Sequence, residues 1–108
     1  MRTIELDAYV LDTLMADLVG HDHQPSAFLV YLALWRRTRA EGADEAAVSL
    51  RELAEATGLS RRGVQDALAR LAARRLIHVE RDGITAVPRY RVERPWARRT
   101  DARAPAAE

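Results

Sequence analysis

The segment of residues 49–71 constrains the fold more than any other part of the chain. Ser49 and Glu52 have the three-residue spacing of a capping box, which predicts a short helix from Leu50 to Ala56. Gly58 follows in the turn Thr57-Gly58-Leu59, where a left-handed backbone costs glycine least. A second helix begins directly after this turn. The sequence therefore predicts two consecutive helices with almost no chain between them.

The second of these helices has one apolar and one polar side. Ser60 is its predicted N-cap, and we expect the helix to run from Arg61 to about Arg74. Val64, Leu68 and Leu71 fall within a narrow arc, which would bury that side against the first helix. The opposite arc carries Arg62, Asp66, Ala69 and Ala73, with Gln65 and Arg70 at its edges. Two helices, a short turn and a polar outer face on the second helix are typical of a helix-turn-helix.

A small β-hairpin is predicted after the two helices. Its strands are Leu76 to Glu80 and Arg89 to Val92, and the residues Arg81-Asp82-Gly83 begin the turn between them. Alternation along the second strand places Arg89 and Arg91 on one face and Tyr90 on the other. We therefore expect the two arginines to be exposed together while Tyr90 packs inward.

The stretch from Val48 to about Val92 resembles the winged helix-turn-helix of bacterial regulators such as the MarR and GntR groups. Leu76-Ile77 stands where those families place the first wing strand, and Asp82-Gly83 where they place wing residues. Two positions depart from the pattern. Arg75 stands where glycine is usual, and Gly63 lies inside the second helix, at a cost of about 1 kcal/mol relative to alanine. The resemblance implies a protein that binds double-stranded DNA.

Two further helices are predicted in the N-terminal part of the chain. The first has Asp7 as its N-cap and runs to Val19, and the second runs from Pro25 to about Arg39. Residues 28–35 of the second helix are apolar on every side, so one small core is not expected to cover them all. We therefore predict a homodimer through the N-terminal helices, with an interface drawn from Leu11, Met15, Leu29, Tyr31 and Leu34.

The predicted fold class is mainly α with a small β-wing, in the order α-α-(β)-α-α-β-β, where Val48 forms the short first strand. Residues 1–94 form the winged helix-turn-helix domain with its N-terminal helical extension. Residues 95–108, which are rich in alanine, arginine and proline, are predicted to be a disordered tail.

The N-terminal part is also similar to the winged helices of phage and plasmid replication initiators, over Tyr9–Met15 and Pro25–Thr38. This second resemblance leaves two processes open, regulation of transcription and initiation of replication or replisome loading. A third alternative is a winged helix that contacts only proteins. The arginine-rich outer face argues against that alternative, and the salt dependence of retention on heparin would discriminate them.

The composition supports a nucleic-acid partner and argues against disulfides, cysteine-based zinc sites and membrane-spanning segments. Residues 1–48 hold four arginines against eight acidic residues, whereas residues 49–99 hold twelve arginines against six. This asymmetry indicates that the second half meets a polyanion. The chain has no cysteine, which excludes disulfides and cysteine-based zinc sites. The sequence shows no apolar run long enough to span a bilayer and no signal region, so we expect a cytoplasmic protein without membrane association.

The predicted DNA-contacting residues are Ser60, Arg61, Arg62, Gln65, Asp66, Arg70, Arg81, Arg89 and Arg91. Arg61 and Arg62 open the second helix of the motif, where side chains reach the major groove and phosphates. Gln65 is suited to adenine. Asp66 lies four residues from both Arg62 and Arg70, so ion pairing with them is its expected role, and reading a cytosine amino group is the alternative.

Other chemistry finds little support in the sequence. His21 and His23 flank Asp22, but no obvious further ligand completes a metal site, so this segment is predicted to be a loop. No glycine-rich phosphate loop and no pairing of a nucleophile with a base is recognisable. We expect neither an enzyme nor a bound cofactor. Whether a small-molecule effector acts on the protein is left open.

Overall fold

The structure is a computed structural model that describes residues 1–83 and 86–97. An N-terminal helix with π-helical geometry leads into three α-helices and a three-stranded antiparallel sheet. The bounds are Val10–Leu14 and Ala16–His21 for the π-helical stretches, Pro25–Arg37 (α1), Glu45–Ala47 (β1), Leu50–Thr57 (α2), Arg61–Ala73 (α3), Ile77–Glu80 (β2) and Arg89–Val92 (β3). A single 3-10 turn at Arg39–Glu41 follows α1. No helix within the described ranges is long and apolar enough to cross a membrane.

Helices α2 and α3 have the predicted caps. The Ser49 hydroxyl accepts the Glu52 N–H at 3.0 Å, and the Glu52 carboxylate accepts the Ser49 N–H at 2.9 Å, which completes the capping box. Gly58 ends α2 with a φ of 80°. Ser60 caps α3 by accepting the Gly63 N–H at 3.0 Å. A Cβ at residue 63 would lie 3.3 Å from that hydroxyl, so glycine gives the cap the space it needs.

Helix α3 ends in a Schellman motif in which arginine replaces the usual glycine. The Leu76 N–H donates to the Leu71 carbonyl at 2.9 Å, and the Arg75 N–H donates to the Ala72 carbonyl at 3.0 Å. Arg75 has a φ of 59°, the left-handed conformation that costs a non-glycine residue about 1–2 kcal/mol. The departure from the family pattern at this position therefore leaves the helix end in place, with backbone strain at Arg75.

The sheet has the order β1-β3-β2. Tyr90 pairs with Val79 on one side and Ala46 on the other, and the Tyr90 side chain is buried. Arg91 on the opposite face is exposed, as predicted from the alternation. The first strand was wrongly placed at Val48, which is fully buried after β1 and donates its N–H to the Pro88 carbonyl at 3.2 Å.

Helix α1 lies at the centre of the molecule and packs against the N-terminal helix, α2, α3 and β3. This corrects the prediction that Tyr31 and Leu34 contribute to a dimer interface, because both are fully buried within the protomer. The Tyr31 hydroxyl donates to the Glu93 carbonyl at 2.9 Å, which fixes that ring inside the core. Of the three α1 residues in the predicted interface, Leu29 alone is exposed.

The two ends of the described chain pack together through Asp7. Asp7 makes no side-chain cap, contrary to the prediction. Its carboxylate instead accepts hydrogen bonds from Arg94 at 2.9 Å and from the Trp96 indole at 3.0 Å. Trp96 also stacks on Tyr9, with the ring centroids 4.6 Å apart. Packing thus extends beyond the predicted domain boundary at residue 94. Most of the predicted tail, residues 98–108, lies outside the described residues.

Candidate nucleic-acid interface

The outer face of α3 is exposed along its length, and its buried side is formed by Val64, Ala67 and Leu71. Arg62 and Asp66 lie in the N-terminal half of this face, with 3.6 Å between the Arg62 Nε and an Asp66 carboxylate oxygen. This is one of the two ion pairs expected for Asp66. Both side chains are well exposed, so the pair leaves the Arg62 guanidinium accessible to a ligand.

A shallow cleft of about 290 Å³ separates α3 from the β2–β3 wing. Gln65 and Ala69 line its α3 side, while Val79, Arg81 and Tyr90 line its wing side. Val79 and Tyr90 belong to the inner face of the sheet. The structure therefore brings Gln65 and Arg81 to one concave surface, where a strand of nucleic acid could contact both.

The predicted arginines differ in whether a protein carboxylate already neutralises them. Arg61 and Arg81 are exposed, and neither has a carboxylate oxygen within 4.0 Å among residues 1–83 and 86–97. Arg91 is also exposed without such a partner in the described chain. It lies on the outer face of the sheet, however, which is opposite to the cleft. Arg61 and Arg81 are thus the cations best placed to meet a phosphate beside α3.

Arg89 is held by three carboxylates. Its guanidinium lies 2.8 Å from Asp82, 3.2 Å from Glu80 and 3.9 Å from Glu45. The Arg89 hydrogen bond holds the pKa of Asp82 below its usual range, and the same contacts raise the pKa of Arg89. Arg89 consequently ties the wing turn and β1 to β3. Arg89 was predicted to be exposed together with Arg91, but its side chain is only 33% exposed, because Glu80 lies opposite Arg89 in the register of β2 and β3.

Asp22 lies in a segment that was predicted to be a loop. Its carboxylate, like those around Arg89, binds arginine. Its side chain is only 5% exposed, and both of its oxygens accept hydrogen bonds from Arg74 at 3.1 Å. Arg70 lies 4.0 Å from Asp22 and donates to the Gln24 side chain at 3.1 Å. The expected Asp66–Arg70 pair is therefore wrong, because Arg70 is turned towards the loop before α1.

Asp22 also accepts a hydrogen bond from the neighbouring His21 at 3.0 Å. This bond is the main reason that the pKa of Asp22 lies below its usual value, with Arg74 contributing in the same direction. In the part of the chain that the structure describes, no three His, Cys, Asp or Glu side chains are placed to share a metal ion. The contacts of Asp22 with Arg70 and Arg74 hold this loop against α3.

Comparison with known proteins places this arrangement in a family. The family described as helix-turn-helix domain matches residues 24–77, which is half of the chain and includes α1, α2 and α3. The chain belongs to the helix-turn-helix domain family. In this helix-turn-helix protein, α2 is the first helix of the motif and α3 is the recognition helix. No curated protein matches the sequence.

A solved structure with a similar fold is described as the crystal structure of the AntR antimony-specific transcriptional repressor. The two chains are 23% identical, with a TM-score of 0.50, and the match covers 98% of this chain and 85% of the repressor. Together with the small antiparallel sheet, this similarity confirms the predicted winged helix-turn-helix fold. At this identity, the similarity concerns the fold of the helix-turn-helix protein.

Proposed function

We propose that this protein is a sequence-specific regulator that binds double-stranded DNA in the cytoplasm and has no catalytic activity. The observation that carries the proposal is the exposed face of the recognition helix, where Arg62 and Gln65 lie beside a wing that presents Arg81. The similar fold of a transcriptional repressor favours transcription over replication as the process.

The proposed binding mode places α3 in the major groove. Gln65 pairs with the edge of an adenine, and Arg62 contacts a guanine or a nearby phosphate. Arg61 and Ser60 contact phosphates at the start of the helix. Arg81 contacts the sugar-phosphate backbone or the adjacent minor groove across the cleft.

Selection of bound duplexes from a random pool tests this function. We expect the selected molecules to share a short motif with two-fold symmetry. The spacing of its half-sites should match one helical turn, about 34–36 Å. Recovery of duplexes with the same sequence composition as the starting pool would contradict sequence-specific recognition.

We further propose that the protein acts as a homodimer through its N-terminal helices. Leu11, Met15 and Leu29 are exposed by 50%, 36% and 42%, respectively. A monomer rarely leaves a large apolar patch in water, and a two-fold contact buries the same residues of both copies. In such a dimer, both recognition helices remain free for successive major grooves.

Light scattering checks the dimer directly. The wild-type protein should have twice the chain mass of 12.1 kDa at micromolar concentration. Leu11→Glu and Met15→Glu should be monomeric and should bind half-sites weakly, because each buries an unpaired charge in the interface. Val87→Glu is the control for the oligomeric state and should stay dimeric, since Val87 is 50% exposed and lies between β2 and β3, outside the N-terminal helices. A wild-type protein that stays monomeric at every accessible concentration would rule out this assembly.

A further inference from the structure

A cavity of about 530 Å³ lies at the opposite end of α3 from the caps that begin it. Its walls come from the 3-10 turn after α1, from the end of α3, from β2, and from the residues directly after β3. Three arginines and a histidine line the cavity, against one carboxylate. These charged residues are Arg39, Arg75, Arg94, His78 and Glu93.

Protein carboxylates neutralise only part of this positive charge. Arg94 binds Asp7 at 2.9 Å, and His78 lies 3.7 Å from Glu80. Arg39 donates to the Val92 carbonyl at 3.1 Å, which is a neutral acceptor. Neither Arg39 nor Arg75 has a carboxylate oxygen within 4.0 Å in the described ranges. Two arginines therefore line the same cavity, and within the described ranges neither pairs with Glu93, the carboxylate residue on its wall.

The backbone of Arg75 adds an independent observation. Glycine would adopt the φ of 59° without strain, whereas this conformation is strained for arginine. The helix dipole stabilises a cation near a helix C-terminus, but this effect is smaller than the backbone strain. Residues in strained backbone conformations cluster at functional sites, among them sites that hold a ligand.

We propose that this cavity binds a small multivalent oxyanion, whose charge is supplied by phosphate or carboxylate groups, with Arg39 and Arg75 as its principal ligands. The planar guanidinium group forms paired hydrogen bonds with either kind of oxyanion. The site borders the Gln65–Arg81 cleft, since Ala72 lines both, but its proposed ligands Arg39 and Arg75 are not among the proposed DNA contacts, so the proposal does not depend on DNA binding. Since its walls belong to α3 and the wing strands, an occupant would contact both elements that the DNA interface uses.

Calorimetric titration with pyrophosphate and with citrate, at constant ionic strength, tests the site. We expect saturable binding of at least one anion to the wild-type protein. The affinity should fall by about tenfold or more in Arg39→Gln and in Arg75→Gly, because each removes a charge-assisted hydrogen bond. Tighter binding of pyrophosphate would assign phosphate ligands to the site, and tighter binding of citrate would assign carboxylate ligands.

Arg75→Gly separates binding from folding. Removing the left-handed arginine should raise the melting temperature, so lost anion binding in this variant would not reflect unfolding. Arg61→Gln is the matched control, because it removes an equally unpaired arginine at the other end of α3. The proposal is overturned if neither anion binds, if Arg39→Gln and Arg75→Gly bind as the wild type does, or if Arg61→Gln alone abolishes binding. These outcomes concern anion binding alone. DNA binding is measured in a separate experiment, and its presence or absence does not change them.

Discussion

Replacing Gln65 or Arg62 by alanine is expected to reduce the preference of the protein for one base position in its site. Each substitution should cost about 1–3 kcal/mol of discrimination at that position, the usual contribution of a side chain that reads a base edge. Binding to random duplexes should change much less. Competition between the selected site and its single-base variants measures the effect.

Arg81→Ala should behave differently, because a phosphate contact carries no sequence information. We expect it to weaken binding to the selected site and to random duplexes by the same factor. Arg91→Ala is the matched control, since it removes the same charge from the outer face of the sheet. If Arg91→Ala weakens binding as much as Arg81→Ala, the proposed wing contact is on the wrong face.

Equal losses on specific and random duplexes for Gln65→Ala and Arg62→Ala would show that the recognition surface lies elsewhere.

Asp22→Asn is expected to destabilise the protein by about 2 kcal/mol, which corresponds to a melting temperature about 10 °C lower. The substitution leaves Arg74 without the carboxylate that accepts both of its hydrogen bonds. A fully buried pair would cost more, but the Arg74 side chain is 30% exposed. Asp66→Asn is the control, because its exposed pair with Arg62 should contribute little. Equal melting temperatures for the two variants would contradict a stabilising role for the contact between Asp22 and Arg74.

The pH dependence of stability gives a second check on Asp22. Its pKa is lowered in the folded protein, so folding favours the ionised carboxylate. The stabilisation is complete above the unfolded pKa of about 3.9 and is lost as the pH falls through the lower folded value. Thermal unfolding between about pH 6 and about pH 3 should therefore show the wild type approaching Asp22→Asn as the pH falls. A difference in melting temperature between the two proteins that stays constant with pH would contradict this linkage.

The elements that the sequence predicted well depend on local interactions. The capping box at Ser49 and Glu52, the Gly58 turn and the Ser60 cap are each encoded within a few residues. Alternation along β3 likewise predicted that Tyr90 packs inward. These short-range signals were sufficient to predict the helix-turn-helix, the wing and the polar face of α3.

The features that the sequence did not predict depend on contacts between distant residues. Arg70 was expected to pair with Asp66 four residues away, but Asp22 and Gln24 approach it from a loop more than forty residues earlier. Tyr31 was expected on the surface because helix periodicity could not reveal the hydrogen bond to Glu93. Trp96 was assigned to the tail for the same reason, since Asp7 lies at the other end of the chain.

Titration of duplex DNA binding against salt concentration tests the central claim most directly. The structure places Arg61, Arg62 and Arg81 on or beside the exposed face of α3, and each phosphate contact releases counterions. The logarithm of the association constant should therefore fall with the logarithm of salt concentration, with a slope of about −2.7 for each protomer bound. Absence of binding at low salt, or a slope near zero, would contradict the proposal that this protein binds DNA.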